Sequence, residues 1–265
     1  MPEPLPAEFV SALRATADRR GPFGEPIYFL TETGSTNDVA GSLAERGASE
    51  GTTVLALAQR QGRGRLGRTW FSPPGAGLYA SVVCRERRAA AMLSLAGGVA
   101  AADGIRRATG LPVELKWPND VVTSGGGARK LAGILAEAST GAEGLQYVVL
   151  GFGINILPAA YPPEIAGRAT SIESELGRAV DAGLVLAETL ASLAQCVARL
   201  AGGDRESLLA RWRELAPSAA GRPVEWETPA GRARGVTAGI DAEGALLVRS
   251  GAHVERIVAG ELRWM

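Results

Sequence analysis

Along the chain, apolar positions alternate between helical and strand-like spacing. Phe9, Val10, Leu13 and Ala17 share one face of a helix predicted over residues 7–20, with Pro6 ahead of it where a missing N–H costs nothing. Residues 26–31 read as a strand, and Gly34-Ser35-Thr36-Asn37-Asp38 breaks it before Val39, Ala40, Leu43 and Ala44 resume helical spacing. Strand-like runs at 52–58 and 78–84 flank a long segment rich in glycine and arginine, and an alanine-rich helix is expected over 89–108. Residues 113–116 form a short strand that ends in Trp117-Pro118-Asn119-Asp120. Residues 121–123, a glycine turn at 124–128 and residues 130–137 then read as a hairpin. A strand over 146–150 ends in Gly151-Phe152-Gly153-Ile154-Asn155. Helices follow at 181–200 and, with Asp204 as N-cap, through Leu215. After Pro217 the spacing changes to short strands at 223–226, 233–239, 245–249 and 254–258, which suggests a small all-β barrel. The expected division is 1–217 and 218–265.

Composition narrows the class. With 265 residues, 46% of them hydrophobic, the chain holds a large core; its 28 Lys plus Arg balance 28 Asp plus Glu. Overall charge therefore offers no footprint for nucleic acid or an anionic membrane, and any positive field must be local. The two cysteines, Cys84 and Cys196, sit far apart in apolar surroundings, which argues for buried thiols in a reducing, cytoplasmic setting. The N-terminal stretch lacks the basic flank and apolar segment of a signal peptide, and the uncharged runs at 89–102 and 144–163 are too short or too polar to be membrane helices. A single histidine, His253, leaves little material for histidine-dependent triads or zinc sites. Gly47-Ala48-Ser49-Glu50-Gly51 matches G-x-S-x-G but precedes a strand and is accidental.

The most informative stretch is 59–70, Gln-Arg-Gln-Gly-Arg-Gly-Arg-Leu-Gly-Arg-Thr-Trp. Glycines let backbone N–H groups approach an anion, and arginines present planar forks that match phosphate or carboxylate. Gly62, Gly64 and Gly67 also satisfy G-x-G-x-x-G. A dinucleotide site would open into a helix, however, and here Pro73-Pro74-Gly75 makes a turn. The segment reads as an active-site lid, mobile when empty because its arginines repel one another. Ser35, Thr36 and Asn37 at a helix start either cap that helix or face a ligand. Trp70 and Trp117 read as packing anchors, either of which could wall a pocket.

Taken together, Ser35-Thr36-Asn37, the block from Gly62 to Arg68 with Trp70, Lys116-Trp117-Pro118-Asn119-Asp120, Arg129-Lys130-Leu131-Ala132-Gly133-Ile134 and Gly151-Phe152-Gly153-Ile154-Asn155 resemble biotin protein ligases in order and spacing. The resemblance is close over residues 27–157 and architectural beyond. It implies an α/β fold with a mixed, largely antiparallel sheet and helices, as in class II synthetases, plus a C-terminal SH3-like barrel. It further implies an enzyme that joins biotin to ATP, with Mg²⁺, as biotinyl-5′-AMP and passes biotin to a lysine of the biotin carboxyl carrier domain of an acyl-CoA carboxylase. Carried over by motif, Ser35, Thr36, Asn37, Gln59, Arg63, Gly64, Arg65, Trp70, Lys130 and Gly133 would contact biotin. Arg63, Arg65, Lys116, Asn119, Lys130, Gly151 and Asn155 would contact the nucleotide. The segment after Asn155 departs from the family where some relatives carry an aromatic over the adenine; Tyr161 is a candidate there, and which residue covers the adenine stays open. Lys130, Arg63 and Asp120 are the expected catalytic groups, Asp120 orienting or deprotonating the carrier lysine unless it is a plain turn residue. Only some 25 residues precede the first strand, so a monofunctional ligase without a DNA-binding domain is expected; neither nucleic acid nor membrane is an expected partner. Whether it works as a homodimer stays open. A lipoate or octanoate ligase is the nearest rival and an RNA-binding module the rival of another class.

Overall fold

The structure, a computed structural model, describes residues 3–125, 128–228, 231–258, 260 and 262–265; Gly126 and Gly127 of the expected glycine turn lie outside the described residues. Among the described residues, twelve strands and eight α-helices follow one another as α1 (Ala7–Ala15), α2 (Ala17–Arg20), β1 (Ile27–Leu30), α3 (Thr36–Glu45), β2 (Thr53–Ala56), β3 (Gly77–Cys84), α4 (Leu93–Thr109), β4 (Val113–Lys116), β5 (Asp120–Thr123), β6 (Lys130–Gly141), β7 (Gly144–Asn155), α5 (Pro163–Ala166), α6 (Ile172–Leu176), α7 (Ala182–Ala201), α8 (Arg205–Leu215), β8 (Ala220–Thr228), β9 (Gly231–Ile240), β10 (Leu246–Ser250), β11 (His253–Ile257) and β12 (Leu262–Trp264).

Seven strands form one sheet in the order β1-β2-β3-β7-β6-β5-β4. Only the β1/β2 ladder is parallel, so the expected mixed, largely antiparallel sheet is present. Strand alternation divides its two faces. On one face Leu78, Ala80, Val82, Leu150, Phe152, Ile154, Ala132 and Ile134 enter the main core, where α4 and α7 pack. On the other, Val83 and Val149 meet Ala40 and Ala44 of α3. Every second residue of β6, β7 and β3 thus turns toward the α3 face. These are Gly133, Leu135 and Glu137, then Gly151, Gly153 and Asn155, then Tyr79 and Ser81.

The expected helix over 7–20 is two helices meeting at Thr16. Its hydroxyl donates back to Ala12 O at 3.1 Å and accepts from Arg20 Nε at 3.0 Å, so it competes with regular helical bonding. Arg20 is buried and donates to Leu13 O and Phe23 O. Helix α7 is apolar and long enough to cross a bilayer by length and composition alone, but 67% of its apolar window is buried inside the protein, as in a core helix. Asp204 is the expected N-cap of α8, accepting from Ser207 N at 3.1 Å. The remaining strands form an antiparallel sheet ordered β11-β10-β9-β8-β12, with β12 unanticipated.

Candidate active site

The α3 face of the sheet carries a cleft of about 930 Å³, inside the range that small-molecule sites occupy. Every residue expected to bind biotin or nucleotide lines it: Ser35, Thr36, Asn37, Gln59, Arg63, Gly64, Arg65, Trp70, Lys116, Asn119, Asp120, Lys130, Gly133, Gly151 and Asn155. Tyr161 also borders it, edge-on to Phe71 with ring centroids 6.2 Å apart.

One end is a fixed polar network. Ser35 occupies the N-cap position of α3 without a side-chain cap bond. The capping role falls instead to Gln59, whose Oε1 accepts from Thr36 N at 2.8 Å and from Thr36 Oγ1 at 3.0 Å. Gln59 Nε2 in turn donates to Ser72 Oγ at 3.1 Å, so both ends of its amide are held. Asn37 is buried, its Oδ1 accepting from Ser81 Oγ at 2.6 Å and its Nδ2 donating to Glu137 Oε2 at 2.5 Å. Gly151 is required beneath it, because a methyl there would overlap the Asn37 amide. Sequence reading missed Ser81 and Glu137. Ser81 is the one polar residue of the run Leu78-Tyr79-Ala80-Ser81-Val82-Val83-Cys84, and that interruption was the available signal.

The middle of the cleft is a glycine floor. Gly133 and Gly153 are cross-strand partners, and the Trp70 indole lies on both. A methyl on Gly133 would come within 2.8 Å of the ring, and one on Gly153 would overlap it. The Lys130 Nζ sits 5.0 Å from the Trp70 ring centroid, within cation–π range. Trp70 Nε1 is buried without a hydrogen-bond partner among the described residues. Trp70 is therefore both packing anchor and pocket wall; Trp117, which also borders the cleft, is buried and donates to Gly244 O at 3.1 Å.

Cations converge at the other end. Lys130 Nζ pairs with Asp120 Oδ1 at 2.6 Å, and its backbone is fixed by bonds to Arg168 O and from Thr170 N. Lys116 Nζ stands 5.4 Å from the Trp264 ring centroid, and burial pulls its ammonium below the ordinary lysine value. Burial likewise lowers Arg65. Two residues expected near the nucleotide are committed to local structure through their amides. Asn119 Nδ2 donates to Ile134 O at 2.7 Å, and Asn155 Nδ2 to Thr170 O at 2.9 Å.

The glycine- and arginine-rich loop does not open into a helix, which removes the dinucleotide reading; residues 65–67 make a single 3₁₀ turn with Leu66 at φ 56°. The first arginine after Gly62 already has anions. Arg63 forks onto Asp38 at 2.9 and 2.6 Å and reaches Glu137 at 3.2 Å, and these bonds push its guanidinium further up and the Asp38 carboxyl below its ordinary value. The expected mutual repulsion of the loop's arginines is thus countered from α3 and β6. No cluster of three or more His, Cys, Asp or Glu among the described residues could hold a metal ion. The nearby carboxylates Asp38, Glu137 and Asp120 are all engaged by cations. This donor set fits a Mg²⁺ that arrives on a nucleotide's phosphates, not a resident ion.

Residues 30–155 match the biotin/lipoate A/B protein ligase family. The biotin–[acetyl-CoA-carboxylase] ligase of Paracoccus denitrificans is 36% identical over 245 residues, covering 88% of this chain and 98% of that protein. The bifunctional ligase/repressor BirA of Bacillus subtilis is 30% identical over 244 residues, 90% of this chain and 74% of that protein. Among solved structures, the biotin protein ligase of Aquifex aeolicus in complex with biotin and ATP superposes with a TM-score of 0.77 at 27% identity, covering 90% of this chain and 98% of that one. Motif order, sheet topology and these relatives agree, and the chain belongs to the biotin/lipoate A/B protein ligase family.

Proposed function

We propose that the protein is an ATP-dependent biotin protein ligase, which activates biotin as biotinyl-5′-AMP and transfers it to a lysine of a biotin carboxyl carrier domain. The observation that carries this is one cleft with a prearranged polar end at Thr36, Asn37 and Gln59, Arg63 held beside it by Asp38 and Glu137, and a cationic end at Lys130, Arg65 and Lys116. A ureido ring needs fixed donors and acceptors. An alkyl chain such as octanoate could use none of them, whereas a ureido ring can share the donors and acceptors that this network holds in place.

In the first half-reaction the biotin carboxylate attacks the α-phosphorus, a new O–P bond forms and pyrophosphate leaves with the electrons of the broken bond. The carboxylate is already ionised, so no base is needed. The barrier is the approach of an anion to an anion, and Arg63 and Lys130 are the groups that offset it. Arg63 can fork onto carboxylate and phosphate together, while Lys130 supplies a point charge held over the Trp70 face. When bound with the nucleotide, Mg²⁺ supplies further neutralisation of the phosphates.

In the second half-reaction the carrier amine attacks the acyl carbonyl, a C–N bond forms, AMP leaves and the amine loses a proton. Asp120 borders the cleft and is paired there with Lys130, so it is the group we assign to orient the carrier ammonium and take its proton. Phe71 and Tyr161 are the aromatic pair suited to cover the adenine. We further read residues 1–217 as the catalytic unit and 218–265 as an SH3-like barrel, in a cytoplasmic enzyme. Mixing the protein with biotin, ATP and Mg²⁺ tests the whole: pyrophosphate release must depend on biotin, and release that depends on octanoate or lipoate instead would overturn it.

A further inference from the structure

Behind the sheet, on the side away from the cleft, α4, α7 and α8 enclose a second cavity of about 360 Å³. Arg106, Arg107, Arg199 and Arg211 border it against a single carboxylate, Asp103. Sequence reading found no second basic cluster because these arginines lie on three helices, some ninety residues apart, and the whole chain balances to zero charge. Asp103 is buried and spent on one partner, accepting from Arg211 Nη2 at 2.6 Å and Nε at 3.4 Å. Arg106 donates to the neutral carbonyl of Val113, which satisfies its N–H groups and leaves its charge uncompensated. Arg107 and Arg199 form no ion pair among the described residues. The carboxylates that feel them have other partners: Glu188 is held bidentately by Arg19 and only lowered further by Arg107, and Asp204 caps α8 with Arg199 acting from farther off. The lining therefore carries four arginines and one carboxylate, and of the four Arg211 is neutralised further by Glu214 at 2.8 Å, which leaves Arg106, Arg107 and Arg199 as the excess.

The rest of the wall is mixed: Val99 and Leu208 are apolar, and Ser192 and Gln195 offer neutral polar groups. From this geometry we propose that the cavity binds a small phosphorylated molecule, its phosphates between Arg107, Arg199 and Arg106 and its uncharged part against Val99 and Leu208. Arginine forks suit phosphate oxygens, and the volume suits a compact ligand. A nucleic-acid strand fits less well, since the lining has no aromatic side chain on which a base could stack. Helix α4 also reaches the catalytic sheet, where Gly97 touches Ile134 and Leu150 and Gly98 touches Leu115, so one rigid element borders both sites.

Hydrogen–deuterium exchange with inorganic pyrophosphate as the probe, against chloride at equal ionic strength, tests the assignment. Pyrophosphate should slow exchange in two places, the loop at 62–70 and the helices around 103–107 and 192–199. The double variants Arg107→Gln/Arg199→Gln and Arg107→Glu/Arg199→Glu should weaken the second effect at least tenfold and leave the first intact. These arginines are exposed and distant from the cleft, so biotin-dependent pyrophosphate release should remain at wild-type rate in both. Protection confined to 62–70, equal protection by chloride, or unchanged protection in both double variants would overturn the proposal, as would protection by single-stranded RNA but not by pyrophosphate. Failure here leaves the ligase reading untouched, because that reading is judged by the biotin dependence of the release.

Discussion

On the role proposed for it, Arg63 must leave two carboxylates before it can grip substrate, and the size of that obstacle follows from its exposure. The Arg63 side chain is 38% exposed, Asp38 57% and Glu137 41%. Pairs this open to water contribute about 0.2–1 kcal/mol after screening and side-chain ordering are counted. Replacing Asp38 with Asn removes the bidentate partner while keeping the shape, so affinity for biotinyl-5′-AMP should rise about 1.4- to 5-fold, by the same free energy converted to a ratio. Calorimetric titration of wild type and Asp38→Asn with a non-hydrolysable biotinyl-adenylate analogue at low salt measures this directly. The gain should shrink as salt is raised, since screening weakens the latch in the wild type first. Acid should imitate the mutation. The Asp38 carboxyl is held below its ordinary value by the Arg63 hydrogen bonds, so the pair is intact above the usual carboxylate range and is lost as pH falls through the lowered value. Weaker binding by Asp38→Asn, with the loop otherwise ordered, would refute the reasoning and make Asp38 a support for Arg63, not a competitor.

Lys130→Ala should lower the rate of biotin-dependent pyrophosphate release by a factor of about 10²–10³ with thermal stability nearly unchanged, as expected for loss of one preorganised donor; a near-normal rate would make Lys130 structural. Asp120→Ala supplied with preformed biotinyl-5′-AMP should transfer biotin to the carrier more slowly, with the deficit shrinking as pH rises toward the lysine range; unimpaired transfer would remove Asp120 from the chemistry. Gly153→Ala should drive Trp70 off the floor, costing roughly 1–3 kcal/mol in stability and weakening biotin binding, seen by denaturant titration and tryptophan fluorescence. Glu137→Gln should raise KM for biotin more than for ATP, since it also releases Asn37; equal effects on both would assign Glu137 to Arg63 alone.

Much of this site is legible in the sequence because its motifs are local. Strand alternation through Gly151-Phe152-Gly153-Ile154-Asn155 puts both glycines and the asparagine on one face, and the same period places Gly133 opposite Gly153. What stayed hidden depends on distance along the chain. Glu137 reaches Asn37 across 100 residues and Ser81 reaches it across 44, and nothing near Asn37 announces either. Gln59 was expected to touch ligand; that it also caps α3 follows only once the loop is folded back. Thr16 was hidden for another reason: its neighbours kept helical spacing while its hydroxyl bonded backward and broke the helix. The four-residue α5, five-residue α6 and three-residue β12 are too short to show a period.

The bond from Trp117 to Gly244 joins the KWPND block to the far sheet, and its consequence concerns how a large carrier protein can approach. Val224, Trp226, Ile240, Leu246 and Val248 belong to the same continuous core as Leu115, Trp117 and Ile134. Swinging the small sheet outward would wet Trp117 and Trp226, at roughly 4–6 kcal/mol for each indole fully uncovered. The wall that carries Glu225, Arg263 and Trp264 beside the cleft is therefore a fixed jaw, and on the role proposed for Asp120 an incoming lysine must be threaded to it past a rigid rim. Carrier selection on such a rim rests on the shape and charge of the visiting domain, with the enzyme's two sheets melting as one.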